Sequence, residues 1–203
     1  KSGYSSQSFN VVCDQGELII LAPKPGGVKP PDYAYHYVIL EQLQAAEYPY
    51  APRAIYLPQD RGCIVITKVP GNQSTWLNSA PVEQQLEAIR KIIDALLQLD
   101  AVVSFEKTSE AYKQLTGKSL HTVKIQDNVQ KFQTNWFARA QEGQPDKDLS
   151  LWLEPKVRLC EKRVKDENPG EKITVVHGDT VAGNMFMTDD MQLHFIDWDS
   201  SGF

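Results

Sequence analysis

"VVHGDTVAGNMFM" (residues 175–187) and "HFIDWDSSG" (residues 194–202) place two histidines, three aspartates and an asparagine within one short span flanked by apolar runs. "MFMT" and "LHFID" alternate apolar residues over strand length and meet at the turn sequence "TDDMQ", so they are predicted to pair as an antiparallel ribbon. That pairing brings the loop holding Asp179 and Asn184 beside the end holding Asp197. Carboxylate and amide oxygens suit Mg²⁺, a hard cation that takes few ligands from protein. Asn184 and Asp197 can supply two such oxygens, with phosphate oxygens and water completing the octahedron. Asp179 is then left to accept a proton from an attacking hydroxyl or amine. Positioning, charge neutralisation and an oriented nucleophile are what phosphoryl transfer requires. A polar turn in which Asp179 and Asn184 only shape the backbone is the alternative, and the second motif at its distance from the first argues against it.

The bulk properties narrow the setting. The chain has 203 residues, 41% hydrophobic and 23% charged, with a net charge of −5. That length suits one domain or two small lobes. The acidic balance argues against nucleic acid as a partner. No apolar stretch reaches the roughly 20 residues of a membrane span, and the first residues lack the apolar core of a signal peptide. Cys13, Cys63 and Cys160 are far apart, form no CxxC, and are expected as reduced thiols in a cytoplasmic protein.

Working outward, "SFNVVC", a turn at "DQG" and "ELIILA" predict a hairpin. "DYAYHYVILEQLQAAE" predicts a helix, "RAIYLP" a short strand, and "RGCIVITKVPG" a strand ending at Pro70-Gly71. Beyond a linker near residues 69–75 the pattern turns helical. Ser79 and Pro81 mark a helix start, and Leu86, Ile89, Ile93 and Leu96 form the predicted apolar stripe. One or two helices are expected between Phe105 and Gly143, with Tyr112, Phe132, Trp136 and Phe137 as anchors. Another is expected over "LSLWLEPKVRLCEKRVKDE" (149–167), and "ITVVH" reads as a strand. His194 is expected to face outward from its strand, and Trp198 to pack the loop.

"HGDTVAGN" followed by "IDWD" resembles the HGDxxxxN…IDxxD signature of the aminoglycoside phosphotransferase and choline kinase family, small-molecule kinases with a protein-kinase-like fold. The resemblance implies an α+β, two-lobed architecture: an N-terminal antiparallel sheet lobe with one helix over residues 1–68, and a mainly helical C-terminal lobe over 69–203. It implies transfer of the γ-phosphoryl group of ATP or GTP to a small-molecule hydroxyl, with Mg²⁺. Asp179 is the implied base, His177 the organiser of its loop, and Asn184 and Asp197 the implied metal ligands. Asp199 is implied to reach a second metal or the acceptor. "GYSSQSFNV" is similar to the family's small-residue nucleotide loop, which makes Ser5 and Ser6 candidate phosphate contacts. "ITKVPG" is similar to its hinge, where backbone groups from Thr67 to Val69 would meet adenine.

Two departures stand out. Ala22 occupies the place of the family's phosphate-binding lysine or arginine, and His36 that of its glutamate partner. A displaced Lys24–Asp32 pair, with Lys24 holding phosphates, is one substitute; loss of the pair is the other. Family members also continue for several helices after the second motif, so this sequence, ending at Phe203, is expected to be part of a longer protein. A nucleotide-binding domain without activity, or a non-catalytic interaction domain, are the rival readings.

Overall fold

The computed structural model describes residues 6–14, 16–27, 31–122, 158, 162, 173 and 175–203. It divides into two units, residues 1–120 with 174–202, and residues 121–173 with 203. In the second unit only the two ends and the helical residues Arg158 and Lys162 are described. The helix expected over 149–167 and the anchors Phe132, Trp136 and Phe137 therefore lie outside the described residues. The first unit holds both sheets and both motifs.

The hairpin forms as predicted. Strand β1 (Ser6–Cys13) pairs antiparallel with β2 (Gly16–Pro23) from Ser6 opposite Pro23 to Cys13 opposite Gly16. Gly16 has φ +105°, a value that a side chain would oppose, and it turns the chain into β2. Helix α1 (Tyr33–Ala45) comes next, capped by Asp32, whose carboxylate accepts from the Tyr35 N–H at 3.0 Å. Its Ile39, Leu40 and Leu43 are fully buried. Strand β3 (Ala54–Tyr56) and strand β4 (Ile64–Thr67) complete an antiparallel sheet of order β1-β2-β4-β3.

A second, small sheet carries the site. Strand β5 (Asn72–Gln73) comes directly after Pro70-Gly71, and the sequence gives little sign of it. Gly71 permits the pairing: at φ +85° its missing Cβ would lie 2.5 Å from the Met187 carbonyl. Helices α2 (Val82–Val102) and α3 (Phe105–Thr116) lie between β5 and the motifs. Ser104 caps α3, and Gly117 ends it in the left-handed conformation. Strand β6 (Met185–Met187) then pairs with both β5 and strand β7 (Leu193–Phe195), giving the order β5-β6-β7.

Two sequence expectations are corrected. Three of the four stripe residues on α2 do not face the core: Leu86, Ile89 and Ile93 are each 50% exposed, and Leu96 is half-buried. The helix instead buries Ala88, Ala95 and Leu99, because small alanines admit the Tyr48 ring, whose hydroxyl donates to the Ala95 carbonyl at 2.9 Å. "ITVVH" is not a strand over its described residues. Val176 makes an isolated antiparallel bridge with Gly202, with N···O distances of 2.9 and 3.0 Å.

Candidate active site

The ribbon pairs Met185 with Phe195, Phe186 with His194 and Met187 with Leu193. Alternation sends Met185, Met187, Leu193 and Phe195 inward, so register is fixed by burial as well as by the ladder. One more bond, Ile196 N–H to the Asn184 carbonyl at 2.9 Å, extends the ribbon past its last pair. The two motifs are thereby brought together. The Asn184 amide donates to the Asp179 carboxylate at 2.7 Å and to the Asp179 carbonyl at 3.2 Å. With its nitrogen committed, the Asn184 side chain has its oxygen left to face a cation.

His177 is held on both ring nitrogens. Nε2 donates to the Ile196 carbonyl at 2.9 Å, and Nδ1 accepts the Asp179 N–H at 3.4 Å. These roles define one neutral tautomer, and burial pushes its pKa down, reinforcing neutrality. The imidazole lies edge-on to Trp198, with centroids 4.4 Å apart, and 5.4 Å from Phe195. Trp198 is fully buried, its indole N–H donating to the Phe195 carbonyl at 3.0 Å, and Tyr48 closes its other side. The residue packs the loop, as expected. Gly178 fits here because a Cβ at its φ of +84° would sit 2.0 Å from the Ser200 carbonyl oxygen.

Asp197 adopts the left-handed conformation, φ 67° and ψ 50°, uncommon for a residue with a side chain. Such strain persists where the surroundings over-determine it, often at functional sites. Burial pushes its pKa up, and the neighbouring Asp199 and Asp179 carboxylates add to this, bringing it to about 7. An accumulation of negative charge that raises its own pKa is what a cation would relieve. Among the described residues no three His, Cys, Asp or Glu side chains converge to hold an ion. Asn184 and Asp197 as a two-ligand set fit Mg²⁺ completed by phosphate and water. Asp179 is half-buried and so remains reachable.

The remaining predicted residues are more scattered. Ser6 opens β1, half-buried, its hydroxyl 3.1 Å from that of Tyr33; Ser5 lies outside the described residues. Lys24 stands exposed in the turn after β2, whose Gly27 N–H bonds back to the Lys24 carbonyl. The Lys24–Asp32 pair does not form, because the Asp32 carboxylate caps α1 and accepts the Tyr112 hydroxyl at 2.6 Å. His36 is buried with neither ring nitrogen partnered, and desolvation lowers its pKa to about 4. In the hinge, the Thr67 N–H is taken by the Arg53 carbonyl and the Lys68 N–H by that of Glu17. That leaves Val69 to offer an N–H. His194 does not face outward: it is half-buried, bonded to the Pro49 carbonyl, with Nε2 unpartnered. Tyr33, Tyr35 and Tyr48 flank the site without belonging to either motif, although an aromatic run such as "YAYHY" at a helix start is a visible signal. The Tyr35 hydroxyl accepts from Ser201 at 3.4 Å, tying α1 to the end of the second motif.

Comparison with known proteins agrees with this fold. Solved structures of similar fold include APH(2″)-IIa in its gentamicin complex, at 14% identity and TM-score 0.58, covering 100% of this chain and 64% of that one. The choline kinase LicA from Streptococcus pneumoniae matches at 15% identity and TM-score 0.54, covering 100% and 62%. A Plasmodium vivax ethanolamine kinase matches at 15% identity and TM-score 0.56, covering 99% and 55%. The chain thus spans less than two thirds of the length of these structures, and its fold is the protein-kinase-like one they share. No curated protein sequence matches it. The family model for the phosphotransferase enzyme family, APH, matches residues 1–203, and the chain belongs to that family.

Proposed function

We propose that this protein transfers the γ-phosphoryl group of ATP or GTP to a hydroxyl of a small molecule of the amino-alcohol or amino-sugar class. The observation that carries the reading is the joining of the two motifs: Ile196 donates to the Asn184 carbonyl and accepts from His177, which sets Asp197, in a charge-loaded, strained position, next to the Asn184–Asp179 bond. Related structures hold streptomycin with ATP, or ADP, which supports a nucleotide co-substrate. Residues 1–68 would contribute the nucleotide side and 69–203 the catalytic loop and acceptor side. Free thiols at Cys13 and Cys63 support a reducing, cytoplasmic setting.

In this mechanism Asp179 accepts the proton of the acceptor hydroxyl as the oxygen attacks phosphorus. The Asn184 amide, bonded to one carboxylate oxygen, fixes the direction of the other. His177 sets the backbone of Asp179 from behind. Asn184 and Asp197 would hold Mg²⁺, which supplies neutralisation of phosphate charge when bound. Ser6 would meet phosphate, and the Val69 N–H would meet the base.

Thermal unfolding of the full-length protein tests the reading. Mg²⁺–ATP at 100 times its Kd should add about 2.7 kcal/mol, roughly 5–11 °C for a domain of this size. Asp197→Ala should remove the Mg²⁺-dependent part. Absence of any shift with ATP or GTP overturns the proposal. A domain that binds nucleotide without turnover is the second reading, favoured by the exposure of Lys24 and by Ala22 in β2; phosphorylated product from a panel of amino-alcohol acceptors decides against it.

A further inference from the structure

The first turn of α1 holds a contact that no part of the proposed mechanism uses. Tyr33 is 3% exposed, yet its hydroxyl lies 3.1 Å from Ser6 Oγ, 27 residues earlier in the chain. Ser6 is the first residue of β1 and is only half-buried. The carboxylates of Asp199 and Asp197 are close enough to the phenol to bear on its ionisation, after burial. Tyr33 is therefore bonded to the strand that begins at Ser6 and lies within electrostatic reach of the acidic end of the second motif. Among the described residues no lysine or arginine bears on this phenol. Ala22 faces Gln7 across the hairpin, and Lys24 is exposed in the turn beyond.

Either oxygen can be the donor at this distance; the phenol is the more acidic of the two, which favours the arrangement with Tyr33 donating and Ser6 accepting. Burial, with a smaller push from the two carboxylates, outweighs the opposing effect of the Ser6 hydrogen bond and raises the pKa of the phenol, which keeps that proton available. Ser6 then has its own proton free to turn outward, toward an acceptor of negative charge.

We infer that Tyr33 is a positioning residue for the nucleotide: by donating to Ser6 it aims the Ser6 hydroxyl at the phosphates lying against Asp197. This inference rests on the nucleotide reading of the site. The contact would do with two neutral hydroxyls part of what a cation would do there, at the lower strength of neutral hydrogen bonds.

The test is the affinity of the full-length protein for Mg²⁺–ADP and, separately, for adenosine, which has no phosphate. Tyr33→Phe should weaken Mg²⁺–ADP about 5–10-fold and leave adenosine within two-fold. Ser6→Ala should do the same, and the double variant should lose no more than either single one, because the two hydroxyls act as one unit. In turnover, KM for nucleotide should rise by the same factor with kcat held within two-fold. Equal losses for ADP and adenosine would show a merely structural tyrosine and overturn the inference. So would unchanged ADP affinity, or additive losses in the double variant. Should Tyr33→Phe not fold, the same ADP-versus-adenosine comparison with Ser6→Ala decides alone. If the unaltered protein binds neither ligand, the nucleotide reading falls and takes this inference with it; if it binds both and the variants match it, this inference alone falls.

Discussion

The β1–β2 hairpin and the β6–β7 ribbon are both two-stranded and antiparallel, yet they are held in opposite ways. The hairpin pairs eight residues with eight, and much of it faces solvent, with Phe9 48% and Val12 74% exposed. The ribbon has three pairs, and four of its six side chains are buried. The long hairpin relies on its backbone ladder and tolerates many side chains. The short ribbon relies on Phe195, Trp198 and His177 stacked behind it, and on glycine where backbones nearly touch. Chemistry that requires fixed oxygens belongs on the second kind of support.

The contrast can be broken or sharpened by substitution. The largest effect is expected at Asp179→Asn, which keeps the shape of the loop and removes the base; turnover should fall roughly 10²–10⁴-fold with nucleotide binding retained. Single-turnover kinetics beside a binding titration measures both, and unaltered turnover would sink the assignment. Gly178→Ala comes next. Its methyl would overlap the Ser200 carbonyl, and its φ disfavours any side chain, for a combined cost of roughly 4 kcal/mol, visible in denaturant unfolding. A loss under about 1 kcal/mol would mean that the loop yields more easily than its geometry indicates.

A pH effect is third. His36 has a folded pKa of about 4, below its ordinary value of 6.5, so the unfolded chain takes up the proton first as pH falls. The stability this group allows is complete above about pH 6.5 and declines down to pH 4, by about 3 kcal/mol. The difference in unfolding free energy between the unaltered protein and His36→Leu, in which the opposing titration of Asp197 cancels, should show this slope across the window. An identical slope in both proteins would contradict the burial account. The smallest effect is expected on the hairpin: Val12→Thr should change stability by less than about 0.5 kcal/mol. A loss several times larger would erase the distinction between the two ribbons.

The same distinction explains what could be read from sequence. The hairpin, α1 and the β6–β7 pair were legible because period-two alternation, helical spacing and turn residues are local signals. So were His177, Asp179, Asn184 and Asp197, since spacing along one ribbon and its loop largely fixes their proximity. The exposed face of α2 was not legible, because Leu86, Ile89 and Ile93 have helical periodicity whether or not anything covers them. The fate of Asp32 was hidden for a related reason. Its competing partner, Tyr112, lies 80 residues away. Val176 and Gly202 carry no strand pattern at all, and only tertiary closure makes them neighbours.

His177 has one further consequence. Its lone pair on Nδ1 receives the Asp179 N–H while its only N–H is given to Ile196. A second proton would convert that acceptor into a donor aimed at another donor, so the backbone of Asp179 and the charge state of the ring are locked together. The depressed pKa keeps that conflict away from neutral pH. In the proposed mechanism the loop is thus proton-blind where its aspartate must be proton-responsive: the group that would handle the proton is positioned by one that ignores it.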